Sequence, residues 1–153
     1  WTVNIGLIED GVPVAGAVAA PAGGHVWFTT GEGAFRRKIK GNDLTQLKVR
    51  AKPSNGIALV SHTLTDDEAT RLAARYGCPV WQGMDSSVKF CLIAEGRADI
   101  YPRPGRTMEW DTAAGDAVLR AAGGRTVTEA GSPLVYGKAD SGFANPGFLA
   151  VGG

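Results

Sequence analysis

The sequence predicts a mixed α/β protein, in which an antiparallel β meander is followed by a C-terminal α/β domain. The first third alternates apolar and polar residues between hairpin turns, whereas the remainder alternates short apolar runs with helices that have clear start and stop signals. The 153 residues are 44% hydrophobic and 20% charged. This composition is typical of a globular domain with a sizeable core and excludes a disordered or fibrous protein.

The meander has a hairpin signal at each of its turns. Asp10-Gly11 favours a tight two-residue turn, and the Pro21–Gly24 and Gly31–Gly33 segments predict the next two turns. Between these turns, four strands are predicted over residues 2–9, 12–20, 26–29 and 34–39.

A loop rich in Lys, Pro, Ser and Asn, residues 48–56, separates the meander from the second part of the chain. The apolar run 57–61 predicts a strand covered on both faces. Thr65 and Glu68 form a capping-box pattern, and Gly77 ends the helix that follows. Two further helices are expected from Ser86 or Ser87 to Gly96 and from near Asp111 to Gly123, with strands at 79–81, 98–101, 126–128, 134–136 and 148–151.

Charge and composition exclude several classes of function. The formal net charge of +1 argues against binding of a nucleic acid polymer or an anionic lipid surface, although a local cluster of cations can still capture a small anion. Two cysteines make neither a disulfide framework nor a zinc site. The chain contains no dinucleotide fingerprint, Walker loop, HExxH motif or nucleophile elbow. With no signal peptide or membrane-length apolar run, we expect a cytoplasmic protein.

Asp111 is the first candidate functional residue. It lies where a short loop meets an Ala-rich helix, so free backbone N–H groups and the positive end of the helix dipole are close by. Such a site suits a phosphate, and a carboxylate there can hold Mg²⁺ together with water and substrate oxygens. Small residues at 113–115 would let a ligand approach the backbone. The alternative is that Asp111 is only the helix N-cap.

Three further positions are candidates for anion binding. Ser86 and Lys89 lie at a predicted helix start, where a lysine is unusual unless an anion is bound; the alternative is a surface lysine. Arg103 is flanked by two prolines, which would hold its guanidinium rigidly for a phosphate, or it is a solvated loop arginine. His62 follows a buried strand, a common position for ligand contacts, but also for an ordinary loop histidine.

These segments, in this order, resemble the inositol monophosphatase superfamily, and within it the bacterial 3'(2'),5'-bisphosphate nucleotidases of the CysQ type. Residues 85–94 contain Ser-Ser-Val-Lys-Phe-Cys, and residues 109–116 contain Trp-Asp-Thr-Ala-Ala-Gly-Asp, which are the most specific matches. The resemblance covers essentially the whole chain, with further matches at 1–8, 99–103 and 141–148.

The resemblance implies an α+β sandwich of the inositol monophosphatase and sugar phosphatase type. Residues 1–50 would be the remnant of an N-terminal α+β domain, and residues 51–153 a C-terminal α/β domain. Asp111 would be the catalytic Mg²⁺ ligand and would also contact substrate, with Ser86, Lys89 and Arg103 on phosphate or nucleotide and His62 near the base or ribose. The implied reaction converts adenosine 3',5'-bisphosphate to AMP and phosphate, a step of sulfur metabolism.

One departure from the family pattern accompanies this match. The family's other metal ligands come from Gly-Glu-Glu and Asp-Pro-x-Asp-Gly-Thr segments upstream of the first strand, and neither occurs in this sequence. We therefore expect an incomplete N-terminus, a missing N-terminal half of the same protein as partner, and an inactive fragment. The alternatives are an inositol or sugar monophosphatase of the same superfamily and a non-catalytic phospholigand-binding module. A homodimer and a peripheral association with the inner membrane are left open.

Overall fold

The computed structural model describes all 153 residues and confirms the mixed α/β class. The helices are α1 (Asp66–Arg75), α2 (Val88–Ala94) and α3 (Glu109–Ala121). The strands are β1 (Val3–Glu9), β2 (Val12–Ala20), β3 (His25–Thr30), β4 (Gly33–Lys38), β5 (Leu44–Gln46), β6 (Ile57–Val60), β7 (Val80–Gly83), β8 (Ile100–Arg103), β9 (Thr107–Met108), β10 (Arg125–Thr128), β11 (Ala144–Asn145) and β12 (Phe148–Val151). None of the three helices has the length and apolar composition of a membrane span.

The predicted meander forms an antiparallel sheet in the order β1-β2-β3-β4-β5. Its first turn has positive φ at both Asp10 (47°) and Gly11 (77°), as a two-residue hairpin turn matched to strand twist requires. The strand β5 was not predicted, because all three of its residues are exposed and leave no alternating pattern. The meander is therefore confirmed and is one strand longer than expected.

The second sheet has the order β10-β12-β8-β6-β7. Its strand β6 pairs in parallel with β7 and β8, and the prediction of a strand covered on both faces is confirmed. Leu59 joins the main core with Phe90 and Phe148, whereas Ala58 and Val60 join a smaller core with the buried alanines of α1. The capping box of Thr65 and Glu68 at the start of α1 is also confirmed.

Helix α3 lies between the first sheet and α2, and small residues allow its close approach to both. A Cβ atom at Gly16 of β2 would lie 2.4 Å from the Ala114 carbonyl oxygen, and one at Gly115 would lie 2.6 Å from the Phe90 ring. Real side chains do not tolerate such distances. Ala114 and Gly115 therefore allow α3 to pack closely between its neighbours, and the expected approach of a ligand to the backbone at 113–115 stays a prediction.

Helix α3 begins at Glu109, close to the start that was predicted near Asp111, with Met108 at the N-cap position. One predicted element needs correction. Residues 134–136 do not form a regular strand: the Leu134 N–H donates to Thr126 O, whereas the Tyr136 N–H donates across to Gly11 O in the first hairpin. Because these donors are divided between two different sheets, no continuous ladder can form.

The segment between β5 and β6 has no regular secondary structure, but it is firmly attached. Leu47 is buried, and the Val49 N–H donates to Ala122 O just beyond α3 at 3.0 Å. The division into domains at residues 1–50 and 51–153 stays a prediction.

Candidate active site

A polar cavity of about 530 Å³ opens where β1, β6, β8 and the starts of α2 and α3 meet. Four of the five predicted site residues, Ser86, Lys89, Arg103 and Asp111, line it together. The other lining residues are Thr2, Asn4, Ser61, Thr63, Asp85, Ser87, Phe90, Tyr101, Thr107 and Thr112. Residues that are distant in sequence thus face one space, as the anion-binding hypothesis requires.

Asp111 is the third residue of α3, and its Oδ2 atom accepts a hydrogen bond from the Met108 N–H at 2.9 Å. It therefore reaches back to the helix start from inside the first turn and is not the N-cap itself. Its other carboxylate oxygen has no hydrogen-bond partner in the protein, and the side chain is exposed on the cavity wall. This oxygen is free to bind a ligand.

The donor set fits part of a divalent-metal site. No group of three or more His, Cys, Asp or Glu side chains comes together in this chain to hold a metal ion. Mg²⁺, however, is commonly held by one or two carboxylates, with water and substrate phosphate completing its shell. Asp111 meets the requirement for one such carboxylate.

Lys89 is a buried cation without a carboxylate partner at bonding distance. Its residue exposure is 3%, its Nζ atom donates to Met84 O at 3.0 Å, and it forms no salt bridge. The same ammonium lies 4.6 Å from the centroid of the Tyr101 ring. Burial lowers the pKa of Lys89 to about 8, an effect that nearby Asp85 opposes and Arg103 strengthens. The lysine is thus a desolvated donor with unused N–H groups at the cavity.

Arg103 is the last residue of β8, whereas the sequence predicted that this strand ends at Tyr101 and that Arg103 lies in the loop after it. It forms no ion pair, and its buried Nε atom has no hydrogen-bond partner. A buried N–H without an acceptor costs free energy, because it has lost its bond to water. An anion in the cavity would offset the positive charge of both Arg103 and Lys89, which line it together.

The loop before α2 presents Ser86 in an unusual conformation. Ser86 has φ of 64°, in the left-handed region that L residues disfavour, and its Oγ atom accepts only a long 3.5 Å bond from the Val88 N–H. Ser87 occupies the N-cap position but makes no capping bond; its hydroxyl group bonds to Asn4 of β1 and to Thr2 just before it. The expected serine cap of α2 is therefore almost absent.

His62 lies at the rim rather than in the cavity. Its side chain is 57% exposed, and Nδ1 pairs with the carboxylate of Asp85, which does line the cavity. Its proposed position near a base or ribose stays a prediction.

The other two acids of the 109–116 segment are structural. Burial alone would raise the pKa of Glu109, but the bonds from Lys138 and from the Gly137 N–H outweigh it and lower the pKa. Asp116 is fully buried and accepts bonds from Arg120 at 3.0 Å and from the Tyr136 hydroxyl at 2.9 Å. Only Asp111, of these three carboxylates, lines the cavity.

Sequence reasoning missed Thr2, Asn4, Tyr101 and Thr112. The one usable signal was Asn4, a polar residue on the face of β1 that also carries the inward-facing Gly6 and Ile8. A polar side chain at an inward position needs a partner, and this requirement points to a polar site. Nothing in the local pattern distinguishes Tyr101 or Thr112 from ordinary core residues.

Comparison with known proteins gives a consistent result along the chain. The chain is 41% identical over 149 residues to the 3'(2'),5'-bisphosphate nucleotidase CysQ of Salmonella typhimurium, covering 97% of this chain and 58% of that protein. The corresponding protein of Buchnera aphidicola is 38% identical over 151 residues, covering 98% of this chain and 56% of that protein. The chain thus spans a little over half the length of these curated relatives.

Solved structures agree with the sequence comparison. The crystal structure of CysQ from Bacteroides thetaiotaomicron, a bacterial member of the inositol monophosphatase family, superimposes with a TM-score of 0.82 at 33% identity. The match covers 99% of this chain and 62% of that one. The family model described as "Inositol monophosphatase family" matches residues 1–151. This chain, with its α/β sandwich and its Asp111 cavity, belongs to the inositol monophosphatase family.

Proposed function

We propose that this chain is part of a phosphomonoesterase that hydrolyses the 3'-phosphate of adenosine 3',5'-bisphosphate, giving AMP and phosphate. Members of the family depend on a divalent metal and act on small phosphorylated substrates. The observation that carries the proposal is the pair Lys89 and Arg103, two cations without ion-pair partners that share one cavity with the Asp111 carboxylate.

The pair of cations favours a substrate with more than one phosphate. A single phosphomonoester dianion beside a metal ion needs little further positive charge, whereas a second phosphate needs its own donors. Arg103 lies close enough to Lys89 for its charge to contribute to the lowered pKa of Lys89. The CysQ relatives are named as bisphosphate nucleotidases, which supports the same substrate class.

Each residue has a distinct role in this proposal. Arg103 and Lys89 donate to phosphate oxygens and orient the substrate, and the Ser86 hydroxyl group adds a neutral donor at the same wall. Asp111 would be a ligand of the divalent cation, which we propose is Mg²⁺. When bound, such a cation supplies Lewis-acid charge to the phosphoryl oxygens. His62, through Asp85, would lie near the base or ribose.

A metal site with one carboxylate is incomplete for this chemistry, because further metal ligands are needed. We propose that acidic residues of the same protein outside these 153 residues complete the metal site, and that the chain alone is inactive. A homodimer and a cytoplasmic location are further parts of the proposal.

The test is an assay of the intact protein that contains this chain. With Mg²⁺, we expect phosphate release from adenosine 3',5'-bisphosphate, and about a thousandfold loss of kcat for Asp111→Asn because a metal ligand is removed. Glu32→Gln, an exposed carboxylate in the β3–β4 turn, is the matched control and should keep full activity. The proposal fails if Asp111→Asn is as active as the wild type.

The same assay separates the alternatives. An inositol or sugar monophosphatase would prefer inositol phosphate over the nucleotide and would be insensitive to loss of the second phosphate. A non-catalytic phospholigand-binding module would bind the nucleotide without releasing phosphate from it.

A further inference from the structure

Three polar side chains form a closed ring of hydrogen bonds beside the cavity. The Ser87 hydroxyl donates to Asn4 Oδ1 at 2.5 Å, so its oxygen must accept from the Thr2 hydroxyl, 2.9 Å away. The Thr2 oxygen in turn accepts from Asn4 Nδ2 at 3.1 Å. Each hydroxyl therefore donates once and accepts once, and the amide of Asn4 supplies both the acceptor and the donor that close the ring.

The ring joins two parts of the molecule that are far apart in sequence. Thr2 immediately precedes β1 and Asn4 lies in it, whereas Ser87 immediately precedes α2. Ser87 is 5% exposed, so its bonds are shielded from competing water. Hydrogen bonds in such a chain polarise and strengthen one another.

The segment that the ring holds is the one that presents Ser86 and Lys89. At its other end, the Met84 N–H donates to Val60 O in β6 at 2.9 Å, and Met84 O accepts from Lys89 Nζ. Between these two attachments, Ser86 keeps a left-handed φ of 64° that it would not adopt freely. A strained conformation persists only where the surrounding structure holds it.

We infer that Asn4, through this ring, is a positioning residue that holds the Met84–Ser87 loop so that Ser86 and Lys89 face the substrate phosphate. The inference rests on the proposed function. Asn4 acts through Ser87, because it has no bond to Ser86 or Lys89. Without the ring, the loop can relax from its left-handed conformation, and the donors to the phosphate are then no longer preorganised.

The test uses Asn4→Ala, Ser87→Ala and the double variant of the intact protein, assayed with adenosine 3',5'-bisphosphate and Mg²⁺. Each single variant should raise KM about tenfold with little change in kcat, because loss of preorganisation weakens binding. The double variant should raise KM no further than the larger single effect, because both changes open the same ring.

Two further variants separate positioning from general stability. Thr2→Val keeps the side-chain shape, opens the ring and should also raise KM. Thr29→Val removes a hydroxyl that accepts from the Gly16 N–H at 2.9 Å in the same sheet, away from the cavity, and should lower only the unfolding midpoint.

The outcomes distinguish this inference from the proposed function. If the wild-type protein releases no phosphate from any phosphomonoester, the proposed function fails and the positioning role fails with it. An active wild type with an unchanged KM in Thr2→Val and Asn4→Ala, or additive effects in the double variant, would overturn the positioning role alone.

Discussion

Two basic side chains next to the second sheet are satisfied in opposite ways. Arg50 donates from Nε and a terminal nitrogen to both oxygens of Asp99, each at 2.8 Å, and Asp99 also accepts from the Ile57 N–H at 2.7 Å. Lys89 is more deeply buried, yet it has only a neutral carbonyl and an aromatic ring as partners. One cation is fully paired within the protein, whereas the other keeps donors and charge available.

The difference separates a structural ion pair from a proposed binding group. Asp99, the residue before β8, is a buried acid bonded to a guanidinium and to a backbone N–H. Its bonds therefore join three segments of the chain, namely the 48–56 loop, β6 and the start of β8. Burial alone would raise the pKa of Asp99, but these bonds outweigh it and lower the pKa. The pKa of Lys89 instead falls to about 8 because burial is not compensated. A ligand anion could supply that compensation.

The largest expected effect is the loss of stability when the ion pair of Arg50 and Asp99 is broken. Asp99→Ala should lower the free energy of unfolding by about 3 kcal/mol, because Arg50 and the Ile57 N–H lose their acceptor. Asp43→Ala, an exposed acid without a bonded partner, should change it by less than about 0.5 kcal/mol in denaturant unfolding. Because the folded-state pKa of Asp99 is lowered, its contribution is present above its unfolded-state pKa and disappears as pH falls through the folded-state value. A wild-type-like Asp99→Ala would show that the pair is energetically neutral.

The packing of α2 against α3 sets the distance between two sides of the cavity. Disturbing this packing should give the next largest loss of stability. Gly115→Ala would place a Cβ atom 2.6 Å from the Phe90 ring, next to Lys89 on α2. We expect about 2 kcal/mol of destabilisation from this overpacking. Gly31→Ala, where a Cβ atom meets nothing within 4 Å, is the control. Chemical denaturation measures the free energy of unfolding of both variants. If Gly115→Ala were as stable as Gly31→Ala, α2 and α3 could move apart without a loss of stability.

Lys89→Met tests the proposed binding role of Lys89 directly. Loss of a charged donor should raise the KM for the phosphorylated substrate by at least about tenfold. The same change should stabilise the ligand-free protein at pH 7, because an uncompensated buried charge is removed. Lys40→Met, at an exposed lysine, should do neither. A Lys89→Met protein that is less stable than the wild type would instead assign Lys89 a structural role like that of Arg50.

The pH dependence of Lys89 is the smallest predicted effect. With a folded-state pKa of about 8, kcat/KM should fall about fourfold between pH 7 and pH 8.5 as the ammonium group loses its proton. In the ligand-free protein the sign is opposite: above about pH 8 the unfolded chain binds more protons, so stability rises with pH until the ordinary lysine pKa is reached. Lys89→Arg should show a flat profile in both measurements, since arginine keeps its charge.

The sequence predicted the local elements well where a short pattern determines them. The Asp10-Gly11 turn, the capping box of Thr65 and Glu68, and the covered strand β6 depend on neighbouring residues, and all three are confirmed. The predicted strand at 134–136 was wrong because its donors go to partners in two different sheets. The serine cap of α2 was almost absent for the same reason, since Ser87 bonds to β1 instead.

The sequence by itself determined the three helices and most of the longer strands, the two specific segments at 85–94 and 109–116, and hence the family. Only the tertiary structure decided that Asp111 reaches back to Met108 from inside the first turn, and that Glu109 and Asp116 are structural. It also brought Thr2 and Asn4 to the cavity wall, which no local pattern could show. The physical reason is range: turns and caps depend on residues a few positions apart, whereas burial and the partners of a charge depend on which distant segments pack together.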